Sequence, residues 1–205
     1  MDRTMAAEES PRPPEAPLSR APELTGAGAA RNERLATMLT DHYRAIWRAV
    51  RRLGVPSASA EDAAQEVFII ASRKLDEIVP GGEARFLYGV ALRVAANRRR
   101  SSALRHERSD EAAVLAAASS RARPDALLEE KQMRELLELA LAELPEDLRA
   151  ALVLFEIEGF SEREIADIAD IPLGTVASRL RRARAAFHRA AARLRALLES
   201  REEES

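Results

Sequence analysis

The side chains of this 205-residue sequence best suited to chemistry are arginines, and they come in groups. The stretch GTVASRLRRAR at 174–184 holds Arg179, Arg181, Arg182 and Arg184, and no acid occurs between Ile171 and Leu198. A second acid-free run, Ala84 to His106, carries Arg85, Arg93, Arg98, Arg99, Arg100 and Arg105. The whole chain is nevertheless close to neutral, with 32 Lys and Arg against 34 Asp and Glu and a formal net charge of -2. Segregated cations in a near-neutral chain point to a polyanion bound at defined surfaces. Arginine suits such a partner twice over: its charge meets phosphates, and its forked donors match O6 and N7 of guanine in the major groove. A third group, Asp62, Gln65 and Glu66, is spaced three and four apart and shares one face of any helix it lies on.

Little in the sequence supports bond-making chemistry. It has no cysteine, which excludes disulfides and thiolate metal sites and fits a reducing cytoplasm. His42, His106 and His188 are scattered, so no metal is expected. There is no Gly-rich phosphate loop and no Ser/His/Asp set, so neither an enzyme, a cofactor nor a small-molecule substrate is expected. Apolar runs such as LVLFEI are too short to span a bilayer, and MDRTMAAEES has no signal-like apolar stretch.

The elements that must hold these groups read as helices throughout. Residues 1–32, rich in Pro, Ala, Glu and Ser, read as a disordered tail. Leu35, Met38, Leu39, Tyr43, Ile46, Trp47, Val50 and Leu53 form a three-four stripe ending at Gly54 and Pro56, with Trp47 in the core. Ser59 with Asp62 predicts a capping box starting a second helix, whose inner face is Ala63, Val67, Ile70, Ala71 and Leu75. VPGG at 79–82 breaks it, and a third helix runs from about Glu83 to Ala103. Residues 105–124 read as a linker. A helix with Met133, Leu136, Leu137, Leu141 and Leu144 follows. The next has Pro145 in its first turn and runs to Ile157. Ser161 and Glu164 form another capping box before a short helix, a turn at IPLG and a long helix from Leu173 to Leu198. The acidic end, 199–205, reads as frayed. The expectation is an all-α chain of two small domains, three helices over 33–104 and four over 125–198.

SEREIADIADIPLGTVASRLRRARAAF has the layout of a helix-turn-helix, with Val176, Leu180, Ala183 and Phe187 inward. Thr175, Ser178, Arg179, Arg181, Arg182 and Arg184 are left outward. Two further segments carry a more specific likeness. DAAQEVFIIASRKL at 62–75 and ARFLYGVALRVAANRRR at 84–100 resemble region 2 of bacterial RNA polymerase sigma factors. ELPEDLRAALVLFEIEGFSEREIADIADIPLGTVASRLRRAR resembles region 4 of the same family, and the short linker resembles its extracytoplasmic-function group.

That resemblance implies a function and a set of roles. An alternative sigma factor binds core RNA polymerase and directs initiation by recognising -35 and -10 promoter elements. Asp62, Gln65 and Glu66 would grip the β′ coiled coil, with the β flap as a further contact. Phe86, Tyr88, Arg93, Asn97, Arg98 and Arg100 would bind and melt the -10 element. The family commonly has Trp where this chain has Phe86, which reads equally as a stacking or a core residue. The loop at 78–84 corresponds to the one that captures a flipped -10 base. Thr175, Ala177, Ser178, Arg181 and Arg182 would read the -35 element, with Arg179 and Arg184 on phosphates. Arg179 reads equally as a brace to an acid on a preceding helix. A cognate anti-sigma factor would hold the protein inactive, and the site of action is the cytoplasm. The rival reading, a stand-alone helix-turn-helix regulator, leaves the match at 62–100 unexplained.

Overall fold

This computed structural model describes residues 26–106 and 126–203, with side chains described over 28–101, 133–197 and at 200. Most of the expected tail, 1–25, and nearly all of the expected linker, 107–125, lie outside the described residues. Three helices come first: α1 (Gly26–Arg52), α2 (Ser57–Arg73) and α3 (Glu83–His106). Four follow: α4 (Ala126–Ala142), α5 (Glu146–Leu152), α6 (Glu162–Ala169) and α7 (Leu173–Glu203). No strand occurs among the described residues.

α1 presents Met38, Ile46, Ala49, Val50 and Leu53 to the core, each at 2% exposure or less. α2 meets it with Ala60, Ala63, Ala64 and Ala71, whose small side chains let three helices approach closely around Val67, Leu87 and Val94. Trp47, expected in this core, is 39% exposed. It lies one position beyond the Ile46–Val50 stripe, and the packed face has no room for an indole. Met133 on α4 is likewise exposed.

α1 ends in a Schellman motif. The Gly54 amide donates to the Arg51 carbonyl at 2.9 Å and the Val55 amide to the Val50 carbonyl at 3.0 Å. Gly54 sits at φ +94, which glycine adopts without strain. Pro56 follows and overrides the expected Ser59 capping box. Its extended backbone forms the N-cap, and its carbonyl accepts the Ser59 amide at 2.9 Å, so α2 starts at Ser57.

The first helix starts at Gly26, inside the expected tail. Arginine donors rather than apolar spacing anchor this part. Arg31 donates to the Ser72 carbonyl at 2.5 Å and meets Asp76 at 3.2 Å. Arg34 donates to the carbonyls of Leu75 at 3.1 Å and Ile78 at 2.6 Å, and to Glu83 at 2.8 Å. One guanidinium thereby fixes the whole connection from α2 to α3. At the other end α7 stays helical through Glu203, into the stretch read as frayed.

The second group of helices packs Leu141, Leu144, Leu148, Leu152, Val153 and Leu154 against Ile165, Val176, Leu180 and Ala183. The helix read as continuous to Ile157 changes at Val153 into a π-turn through Ile157. The Glu158 amide reaches back five residues, to the Val153 carbonyl at 3.0 Å. The two groups also touch each other, α3 against α6 and α1 against α4.

Arg34's hydrogen bond, with help from its charge and from backbone amides, holds the Glu83 carboxyl below its ordinary value of 4.5, although burial works the other way. A carboxylate whose folded pKa is depressed stabilises the fold above its unfolded pKa and loses that effect as pH falls through the folded one. The melting-temperature gap between wild type and Glu83→Gln should therefore hold steady from about pH 6 to 8 and close below about pH 4. A gap unchanged down to that pH would mean the ion pair does not fix the connection.

Candidate nucleic-acid interface

The helix-turn-helix is built locally. Ser161 caps α6: its hydroxyl accepts the Glu164 amide at 3.3 Å, while the Glu164 carboxylate accepts the Ser161 amide at 2.9 Å. Hydrogen bonds from the Ser161 backbone and side chain, joined by the nearby Arg85 charge, lower the Glu164 pKa against a small cost of burial. α6 ends at Asp170, the one non-glycine described residue with positive φ, at +53. Pro172 then starts α7. Buried Ile165 on α6 meets Val176, Leu180 and Ala183 on α7 and fixes the angle between the helices.

That packing turns the opposite side of α7 outward. Ala177, Arg181, Arg182 and Arg184 are exposed, and Thr175, Ser178 and Arg179 are half-buried. The arginines differ in what they are free to do. Arg179 pairs with Asp147 at 3.2 Å, the brace among its two readings. Arg184 pairs with Glu156 at 2.8 Å and lies over the Phe155 ring at 5.2 Å, so its guanidinium is held on the π-turn rather than offered to a phosphate. Arg182 makes a 3.4 Å contact to the Ser178 carbonyl one turn back. A pair of outward guanidinium groups, Arg181 and Arg182, beside the apolar Ala177 and the Ser178 hydroxyl, makes a small surface of mixed donor and methyl character.

α3 divides the residues expected to act together on the -10 element. Phe86, Arg93, Asn97 and Arg100 recur at seven, four and three, so they share one side of the helix. Asn97 accepts from Arg100 at 2.6 Å, which orients both, and Arg93 donates to the Gly89 carbonyl at 3.1 Å. Phe86 is half-buried against the core, so both of its readings keep a footing.

Tyr88 and Arg98 lie elsewhere. Tyr88, expected to stack on a base, is 6% exposed. Its hydroxyl donates to Glu158, and its ring meets Phe160 edge to face at 5.0 Å. Burial, then the Glu158 acceptor, raise its pKa far above the usual phenol value, so it remains a donor. Arg98 turns to Glu66, donating through Nη2 at 2.7 Å and Nε at 3.2 Å. The residue expected on the -10 strand and the one expected on the polymerase are thus each other's partner. On the acidic face of α2, Asp62 and Gln65 are exposed, and Ile69 stands among them at 50% exposure.

Sequence reasoning missed Ile69, which follows Glu66 by three and completes that face. It also missed Arg52, Arg99, Arg149 and Glu158, which join the two groups of helices. Arg52 meets Glu158 at 3.0 Å, Arg51 meets Glu138, and Arg99 meets Glu146. Arg149 is 7% exposed, the one buried charge among the described residues. It donates to the carbonyls of Ala142 at 2.6 Å and Leu144 at 3.0 Å, and to Leu53 of the other group at 3.4 Å. Burial, then the Arg99 charge, lower its pKa to about 10 against the opposing pull of Glu146, so it is cationic at neutral pH. A single arginine followed by three apolar residues at 149–152 carries no visible sign of this role. No group of described residues could hold a metal, and no described helix is long and apolar enough to cross a membrane.

Comparison with known proteins accounts for both groups of helices. Residues 38–105 match the family pattern Sigma-70 region 2, and residues 134–187 match Sigma-70, region 4. The sequence is 38% identical over 143 residues to the ECF RNA polymerase sigma-E factor of Escherichia coli K12, covering 65% of this chain and 74% of that protein. Among solved structures, the sigma factor RpoE of Bartonella quintana in complex with the anti-sigma factor NepR superposes with a TM-score of 0.61 at 23% identity, over 77% of this chain and 96% of that one. CnrH in complex with the cytosolic domain of CnrY superposes at 0.57 and 23% identity, over 82% and 90%. At that identity the two structures share a fold with this chain.

Replacing Ser161 by Ala removes the cap of α6 and should cost about 1 kcal/mol of stability in urea unfolding. Ser161→Asn, which keeps a capping oxygen, should recover most of the loss.

Proposed function

The chain belongs to the sigma-70 family of RNA polymerase sigma factors, in its extracytoplasmic-function group, and on that footing we propose how its surfaces divide the work of promoter-specific initiation. The acidic face of α2, with Asp62, Gln65 and Glu66, takes the β′ coiled coil of core polymerase, whose basic side chains these groups pair with. The start of α7 enters the major groove of the -35 element. Arg181 and Arg182 there supply base and phosphate contacts, Ser178 and Thr175 add shorter hydrogen bonds, and Ala177 meets a thymine methyl. The Phe86–Arg93–Asn97–Arg100 side of α3 takes the single-stranded -10 element by stacking and phosphate contacts. The polymerase performs the chemistry and this chain none. The β flap is its second contact on core enzyme, the cytoplasm its place of action, and a cognate anti-sigma factor its restraint.

One observation carries this reading. Region 2 and region 4 both match, in order, on one chain, and each places an exposed acid-free arginine surface on a helix of its own. The fold shared with a sigma factor seen in complex with its anti-sigma factor supports the proposed anti-sigma partner.

Run-off transcription with purified core polymerase on the promoter upstream of this gene tests it. A discrete transcript dependent on the protein is expected. The pair Arg181→Ala with Arg182→Ala should lower it at least tenfold, since each well-made base contact is worth about 1–3 kcal/mol. Gln65→Ala with Glu66→Ala should abolish co-purification with core polymerase and leave the isolated protein folded. A protein that does not bind core polymerase at all would return the reading to a stand-alone duplex-binding regulator.

A further inference from the structure

Arg98, Arg99 and Arg100 follow one another on α3, and a turn of about 100° per residue sends them three ways. Arg100 joins Asn97 on the side proposed for the -10 strand. Arg99 turns to the Leu53 carbonyl and to Glu146. Arg98 follows the buried Val94 and Ala95 by four and three, which brings it to the flank of α3 beside α2. There it donates to Glu66 through Nη2 at 2.7 Å and Nε at 3.2 Å. Both donors close on the same oxygen, Oε2, and Oε1 takes no hydrogen bond from any described residue. The Arg98 and Glu66 side chains keep 32% and 41% of their surface, so the pair can be reached from outside. Glu66 shares its face with the exposed Asp62, Gln65 and Ile69, and of these four it is the one tied to another helix.

From this we infer that Arg98 is a positioning residue of the polymerase contact and not a DNA ligand. It fixes the Glu66 carboxylate through one oxygen and leaves the other for a basic side chain of the partner. The inference rests on the sigma-factor reading, which supplies that partner. A glutamate on an open helix face samples several rotamers and must give them up on binding. The Arg98 fork does that ordering in the free chain, and its two donors hold the oxygen more narrowly than one ammonium would. Arg98 also opposes the partner, because its charge repels a basic side chain. The two effects differ in size. Ordering a long side chain beforehand is worth about three- to tenfold in affinity. A charge pair as exposed as this one counts for less than about fivefold, and salt screens it further. Ordering therefore prevails.

Affinity for purified core polymerase tests this, read from the anisotropy of a dye on Ser205→Cys in the otherwise cysteine-free chain. Arg98→Ala should weaken core binding about three- to tenfold and leave the protein folded, with a melting temperature close to that of wild type. Arg98→Lys, which keeps the charge and one donor, should recover part of the loss. The loss should vanish when Glu66→Ala is already present, because Arg98 acts through that carboxylate. Assembled polymerase carrying Arg98→Ala should bind the single non-template -10 strand of the promoter found by run-off transcription as tightly as wild type does, whereas Arg100→Ala should weaken that binding. Core binding unchanged or tightened by Arg98→Ala overturns the inference. So does an undiminished loss in the Glu66→Ala background, and so does a loss of -10 strand binding as large as that from Arg100→Ala. Failure of the sigma reading looks different, because the wild-type protein would then not bind core polymerase at all.

Discussion

The carbonyl of Leu53 is the point from which the rest of this molecule is organised. It belongs to the end of α1, where a helix leaves its last carbonyls without partners. Gly54 turns the chain away in a left-handed conformation and leaves that oxygen open. Arg99 of α3 and Arg149 of α5 both donate to it. One oxygen thus ties the end of α1 to α3 within its own domain and to α5 in the other. The negative end of the α1 dipole favours both cations, while burial and then the repulsion between the two guanidinium groups, which together lower the pKa of Arg149, oppose them. The Nε atoms of Arg99 and Arg149 are buried without a hydrogen-bond partner, and each adds a further cost, of about 1–3 kcal/mol. The tie is consequently specific in geometry and modest in net strength.

The same economy governs the arginines. Those that look alike in sequence are sorted by packing into structural and available ones. Arg31 and Arg34 close the α2–α3 connection, Arg98 pairs with Glu66, and Arg179 and Arg184 brace α7 against Asp147 and Glu156. Arg93, Arg100, Arg181 and Arg182 keep exposed guanidinium groups with contacts only on their own helices. Charge density along the chain therefore overstates the cationic surface on offer, and side-chain pairing trims the proposed DNA-binding residues to two compact patches.

The helices themselves were legible because their signals are local. The three-four stripes of α1 and α7, the break at VPGG and the Ser161–Glu164 box each act within a few residues. The family likeness likewise rests on contiguous motifs. What stayed hidden depends on partners far away in sequence. Tyr88 is an aromatic on a basic helix until Glu158, seventy residues later, takes its hydroxyl. The stretch 26–32 looks disordered until Arg31 finds the end of α2. Ser59 looks like a cap until Pro56 claims the helix start. Trp47 fits the apolar period, yet the alanine-tight packing of α1 and α2 excludes its volume.

The π-turn at 153–157 has one further meaning. A π-turn holds one residue more than the α-helical path it replaces, and that residue rotates everything after it by about a quarter turn or more. Glu158 owes its aim at Arg52 and Tyr88 to this extra residue. The coupling between the two domains is therefore written partly in the length of the chain and not only in its side chains. Removing one residue from this segment would keep every charge of the junction and turn Glu158 away from Arg52 and Tyr88.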